Sequence, residues 1–325
     1  MNEKKNKRLN LSLDSKPWMS AIIPIIVFVI LLTLLSPQFL TTSNLFNIMR
    51  QIAVYAIMSV GMTFVIITSG IDLSVGAMIP IVSIVVANII NYNEKLLWVA
   101  VIAGILTGAL IGLINGILIA YVGIPPFIMT MGSMKVLSGI ALLVTNSSAV
   151  KVANKSFRFL GTGEVFGIPV PILIFIVIAM IGHIILTQTP TGRHIFAIGN
   201  NREAARLSGV KVRKTLIMVH LVSSVCAAVA AVLYLSRLGS CQAIAGDGYE
   251  MEAIAATVIG GTSITGGSGG VIGSILGAIL MGIIKNGLVL LNVSTYWQQI
   301  VTGLVVIIAI IMDLTRRKLS NRKSS

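Results

Sequence analysis

Ten apolar stretches of 14 to 26 residues, parted by polar or glycine-rich breaks, leave this chain few ways to fold. They run over Trp18 to Leu35, Ile52 to Thr68, Leu73 to Ile90, Leu96 to Tyr121, Phe127 to Val144, Val170 to Leu186, Thr215 to Leu235, Met251 to Ile264, Val271 to Leu291 and Trp297 to Met312. Lipid offers the backbone no water to bond to, so such stretches close their hydrogen bonds internally as helices. Only 10% of the residues are charged and 56% are hydrophobic, against about 25% charged in a soluble domain. A soluble enzyme is excluded, and the expected fold is an all-α polytopic membrane protein of about ten transmembrane helices. The eighth stretch is short and ends in glycine-rich sequence. The first stretch follows a basic segment as a signal peptide would, but it is long and lacks a small-x-small cleavage site, so it reads as a retained span.

Charge then sets topology. The net charge of +14 speaks of loops facing the cytoplasm, and not of nucleic acid. With the amino terminus inside, 16 Lys and Arg residues fall in cytoplasmic segments and 6 in the opposite loops, so both termini are expected in the cytoplasm. Lys135 and Lys285 fall within spans, where a long stem can snorkel toward an interface. The resulting organisation is a tail at 1–17, a transmembrane domain at 18–314 and a basic tail at 315–325. Within the domain, 145–169 forms an external loop and 187–214 a cytoplasmic one. The external loop either folds over the mouth of a central cavity or simply connects its neighbours.

In the cytoplasmic loop, Asn201 is placed to cap a short helix over Arg202 to Ser208, with Gly209 closing it in a left-handed conformation. Such a helix is either a docking element, with Arg202, Glu203 and Arg206 for polar contacts and small Ala204 and Ala205 for close approach, or a solvated basic loop. Three breaks interrupt the apolar sequence at Thr68 to Ala77, Gly123 to Phe127 and Gly260 to Gly270. Pro125 and Pro126 remove two amide donors, so a new helix is expected to start near Pro126. Unwound backbone at membrane depth is tolerated where it lines water or is buried in protein, as in transport pathways.

Asp72 lies in the first break, where a bilayer-centred charge costs roughly 2.5 to 3.5 kcal/mol. It can bond substrate hydroxyls or cap the next helix; capping is the favoured reading. Gly104, Gly108, Gly112 and Gly116 form one strip for close helix approach, and Gly269, Gly273 and Gly277 another. Asn115 and Asn286 near those strips read as interhelical hydrogen-bonding groups before substrate contacts. Tyr249, Glu250 and Glu252 either face a soluble external partner or mark the water interface.

Cys226 and Cys241 have no metal-ligand spacing, and His183, His194 and His220 are dispersed. The sequence has no GxxxxGK[ST] phosphate loop, so any ATP hydrolysis belongs to another chain. Neither a nucleophile with its base nor paired carboxylates emerge, which argues against a membrane-embedded enzyme.

The segments SGIDLSVGA, GRHIFAIGNNREAARLSGV, GDGYEMEAIAATVIGGTSITGG and NGLVLLNVSTYWQQIVTGLVVIIA resemble the ribose-type permeases of bacterial ABC sugar importers, over about residues 17 to 315. That resemblance implies a homodimeric pore in the bacterial cytoplasmic membrane and inverted repeats in the fold. It also implies a cytoplasmic ATPase with tandem nucleotide sites, on which ATP and Mg would sit, and an external sugar-binding protein. No cofactor is expected on this chain. The coupling positions carried over are Gly199, Asn200, Ala204, Ala205, Arg206, Leu207, Ser208 and Gly209. Ribose is the first expectation among monosaccharides, although GIPPFIMTMGSMKVLSGIALLV looks closer to the wider monosaccharide and polyol branch.

By polarity and break position, Thr68, Ser69, Asp72, Asn115, Thr130 and Thr262 are the expected pathway residues of an alternating-access mechanism. The rival is an ion-coupled secondary sugar transporter, for which Asp72 is the single acidic candidate near the membrane centre.

Overall fold

The computed structural model describes residues 21–324; the expected tail at 1–17, the first three residues of the expected first span and Ser325 lie outside the described residues. Among the described residues there are thirteen α-helices: α1 (Ile22–Leu35), α2 (Thr42–Ile67), α3 (Ser74–Tyr92), α4 (Leu97–Ile117), α5 (Pro126–Thr145), α6 (Lys155–Thr162), α7 (Val170–Gln188), α8 (Pro190–Asn200), α9 (Arg202–Leu207), α10 (Val212–Leu238), α11 (Tyr249–Ile259), α12 (Val271–Leu290) and α13 (Thr295–Ser324). Among the described residues, eight are long and apolar enough to cross a membrane: α2, α3, α4 with its flanking turns, α5, α7, α10, α12 and the Thr295–Asp313 part of α13.

The expectation of about ten transmembrane helices suits this helical bundle, and its short eighth stretch, Met251 to Ile264, is where a helix of spanning length is missing. That stretch forms α11, whose 11 residues make a rod of about 16 Å, roughly half the hydrocarbon thickness. The glycines from Gly260 onward end it, because their backbone freedom favours turns over helix. Its buried end is tolerated because α2, α12 and α13 pack around it. The described part of the first expected span, α1, has 14 residues.

At the centre stand α2, α3 and α10. From Ile52 to Ile67 every residue of α2 is buried, including Ser59 and Thr63. Their hydroxyls are satisfied within the membrane: Ser59 donates to the Tyr55 carbonyl at 2.8 Å, and Thr63 Oγ1 lies 2.6 Å from Ser274 Oγ of α12. The glycine strip of α4 performs the packing expected of it. A Cβ on Gly108 would lie 2.5 Å from Ala228 Cβ, one on Gly112 2.6 Å from Ser224 Cβ, and one on Gly116 2.8 Å from Ile217 Cα, so α4 lies against α10 nearly backbone to backbone. Asn286 likewise exchanges two amide hydrogen bonds with Asn44, at 2.9 and 3.1 Å, tying α12 to the start of α2. Around this core, α4, α5, α7 and α13 turn large apolar side chains outward, as lipid requires.

The external segment folds down upon the bundle. Its α6 begins where Asn154 Oδ1 accepts from the Phe157 amide at 2.8 Å, and Phe157 is fully buried. Strand β1 (Val150–Lys151) pairs antiparallel with β4 (Ser240–Cys241) beyond α10, and β2 (Glu164–Val165) with β3 (Ile168–Pro169) before α7.

Candidate coupling and translocation site

The cytoplasmic loop expected at 187–214 is two helices. Thr189 accepts from the Gly192 amide at 3.3 Å and Pro190 occupies the first turn, where its missing N–H costs nothing, so α8 starts directly after α7. Asn201 then leaves helical geometry at φ −160° and caps α9, its Oδ1 accepting from the Ala204 amide at 2.9 Å. Gly209 follows at φ +84°. The capped helix read from the sequence is present, ending at Leu207. Asn201→Ala is expected to cost about 1 kcal/mol of local stability, visible as faster amide exchange over residues 202–207, with Asn201→Asp retaining protection.

This helix has two faces. Ala205 is buried against Ile198, Val212 and Leu216. Arg202, Glu203, Ala204, Arg206, Leu207 and Ser208 are exposed, and Leu207 is 74% exposed, an apolar side chain held out on a charged arm. Arg206 clasps Glu203 through Nε and Nη2, at 3.0 and 2.6 Å. That contact holds the Glu203 carboxyl below the usual carboxylate range and raises the Arg206 guanidinium.

At the base of the arm, three segments far apart in sequence meet through their backbones. The Gly267 amide donates to the Ile67 carbonyl at the end of α2, at 2.9 Å. Ser69, at φ +62°, donates its hydroxyl to the Thr265 carbonyl at 2.8 Å. Into this pairing of the first and third breaks fits the last turn of α8. A Cβ on Gly199 would run into the Ile67 carbonyl oxygen and stand 2.5 Å from the Gly267 amide nitrogen, and a Cβ on Gly267 would strike Asn200 Oδ1. Ser263 Oγ also donates to Asp313 of α13 at 3.1 Å. The sequence marked Gly199 and Asn200 and both breaks, but not that they touch.

Most of the expected pathway residues are buried and hydrogen-bonded within this chain. Thr68, Asp72, Asn115, Thr130 and Thr262 are all buried. Thr68 donates to the Val65 carbonyl at 2.8 Å, and Thr262 Oγ1 accepts from the Gly270 amide at 3.3 Å. Asp72 Oδ1 accepts from the amide and hydroxyl of Ser74, at 3.1 and 2.6 Å, which is the helix-capping role; Asn115 extends the chain by donating to Ser74 Oγ at 3.1 Å. Thr130 of α5 accepts from the Leu73 amide at 3.1 Å and lies 3.0 Å from the Ile71 carbonyl, holding the break from the other side. Ser69 is exposed. An open cleft of about 410 Å³ lies between α4 and α5, beside Asn115, Met129 and Gly132.

Tyr249, Glu250 and Glu252, read from the sequence as facing a partner or the water interface, turn inward. Glu250 and Glu252 are 8% and 6% exposed. Glu252 forms an ion pair with Lys285 of α12 at 2.5 Å, and the ammonium stands 5.1 Å from the ring centres of both Tyr55 and Tyr249. The physical reason is desolvation: with α11 enclosed by protein, its carboxylate needs a nearby cation, and the half-buried Lys285 supplies it instead of snorkelling outward.

The family model described as "Branched-chain amino acid transport system / permease component" matches residues 44–310. The chain is 40% identical over 306 residues to the ribose import permease protein RbsC of Escherichia coli K12, covering 92% of this chain and 95% of that protein. It is 38% identical over 280 residues to the D-allose transport system permease protein AlsC of the same strain, covering 86% of each. With the L-arabinose transport system permease protein AraH, also of that strain, identity is 35% over 282 residues, covering 87% of this chain and 86% of that protein. No solved structure matches.

Proposed function

This chain belongs to the family of permease components of branched-chain amino acid transport systems, and from that premise we propose that it carries ribose or a related monosaccharide inward by alternating access. It is a membrane permease subunit of a sugar importer and not itself an enzyme. It is a multi-pass protein of the bacterial inner membrane, working with an ATPase and a substrate-binding protein. The observation that carries ribose is the likeness to a ribose permease over nearly the whole chain. The working unit in this reading is a homodimer with both termini in the cytoplasm, consistent with the asymmetry of basic residues.

The mechanism rests on the junction at Gly199. The ATPase seats on the exposed face of α9, and a displacement of the arm reaches the ends of α2 and the α11–α12 turn through backbone contacts that cannot stretch independently. ATP-driven closure then shifts the population between two packings of the broken helices. Asp72, the acidic candidate for an ion-coupled carrier, has its Oδ1 held by the amide and hydroxyl of Ser74 at the start of α3.

Arg206→Glu replaces the clasp with two like charges at i,i+3 on an exposed helix, so the fold is kept. ATPase association or sugar-stimulated hydrolysis is expected to fall; unchanged transport would count against the docking face. The function is tested by labelled ribose uptake with the chain, its ATPase and its binding protein, omitting each in turn and competing with allose and arabinose. Dependence on all three with ribose as the best competitor is the expected result. Uptake by this chain alone that stops when the ion gradient collapses would overturn it.

A further inference from the structure

Lys135 is the tenth of the 20 residues of α5, a candidate membrane span. About 14 Å of helix separates it from either end, beyond the reach of a four-carbon stem, so snorkelling to an interface does not relieve its charge. It is exposed, and the three ion pairs among the described residues, Arg50–Glu164, Arg206–Glu203 and Lys285–Glu252, do not include it. Facing lipid at that depth costs roughly 2.5 to 3.5 kcal/mol on insertion scales, with no ion pair to offset it among the described residues. The ammonium needs water or a polar partner.

The helix around it agrees. The buried residues of α5, Thr130, Leu137 and Ala141, look toward the bundle, where α5 packs on α3. Met131, Gly132 and Gly139 share the Lys135 face by helical spacing and are exposed with it. A Cβ built on Gly132 or on Gly139 would meet no atom within 4 Å, so open space lies over this face on both sides of the lysine. Through Thr130 the same helix braces the first break.

We propose that the Lys135 face of α5 borders the water-filled translocation route between two copies of the chain, where the ammonium donates hydrogen bonds to the hydroxyl oxygens of the passing monosaccharide. This rests on the importer reading above and adds to it a residue that touches substrate. A cation there suits a polyhydroxylated neutral molecule: it supplies three rotatable donors without demanding one geometry, so a sugar is contacted and released.

The test uses Lys135→Cys in the assembled transporter, the native Cys226 and Cys241 both being buried, with Met180→Cys on the outward face of α7 as the lipid-facing control. A charged, membrane-impermeant thiosulfonate reagent needs a thiolate in water, so Lys135→Cys is expected to react roughly tenfold or more faster than the control, and more slowly when ribose is turning over. Lys135→Met is expected to lower ribose uptake about tenfold by removing a charged hydrogen-bond donor, with Lys135→Arg recovering most of it. Labelling as slow as the control, or full uptake by Lys135→Met, overturns the proposal. The comparison with Met180→Cys is read without turnover, so it stands even if uptake proves independent of the ATPase. Slow labelling in a transporter with normal three-component uptake removes the lysine route and leaves the importer intact.

Discussion

Gly199→Ala is expected to abolish most sugar-stimulated ATP hydrolysis and uptake while leaving the protein in the membrane. The added methyl meets backbone on both sides, the Ile67 carbonyl and the Gly267 amide, and neither can turn aside as a flexible side chain would. The last turn of α8 must therefore lift away from the first and third breaks. Overpacking of this kind costs about 1–3 kcal/mol, and because about 1.4 kcal/mol is a factor of ten, coupling should fall roughly tenfold to a hundredfold. Gly303→Ala on α13, where an added Cβ meets nothing within 4 Å, is the matched control and should behave as wild type. The informative ratio is sugar-stimulated to basal hydrolysis with the ATPase bound. Wild-type stimulation in Gly199→Ala would remove the junction from the mechanism.

Lys285→Met is expected to be the most destabilising single change in the bundle. Glu252 would be left as a buried carboxylate with no cation, flanked by the rings of Tyr55 and Tyr249. Removing one member of such a pair costs about 3–5 kcal/mol, whereas replacing both can be close to neutral. Lys285→Met combined with Glu252→Gln should thus recover most of the loss. Thermal unfolding of the purified permease in detergent reads the difference directly, and equal midpoints for the single and double variants would show that the pair is not the source. The consequence reaches the mechanism because this contact pins α11 to α12, the two helices joined by the glycine-rich turn.

Several local features were legible without tertiary structure because their causes are local. Asn201 caps α9 through an amide three residues on, Asp72 caps α3 through an amide two residues on, and Pro126 starts α5 because its ring fixes a helical φ. The glycine strip of α4 was readable from its period of four, though not its partner, α10. Polarity along the chain did not reveal which side chains are buried. Thr68, Thr130 and Thr262 have hydroxyls that bond backbone within the protein, and a buried threonine is indistinguishable by composition from one lining water. Lys135 and Lys285 look alike in sequence, yet one meets Glu252 and the other open space, because α11 brings a carboxylate to only one of them.

The sequence by itself determined that this chain crosses a membrane as helices, where those helices break and which loop carries a capped arm. Each of these follows from apolar length, from glycine and proline, or from a side chain and an amide a few residues apart. Only the tertiary structure decided that Glu252 pairs with Lys285, and that Gly199 stands between Ile67 and Gly267. Those depend on which helices become neighbours. In lipid that choice comes from close packing and buried hydrogen bonds between segments many residues apart, which hydropathy along a chain does not encode.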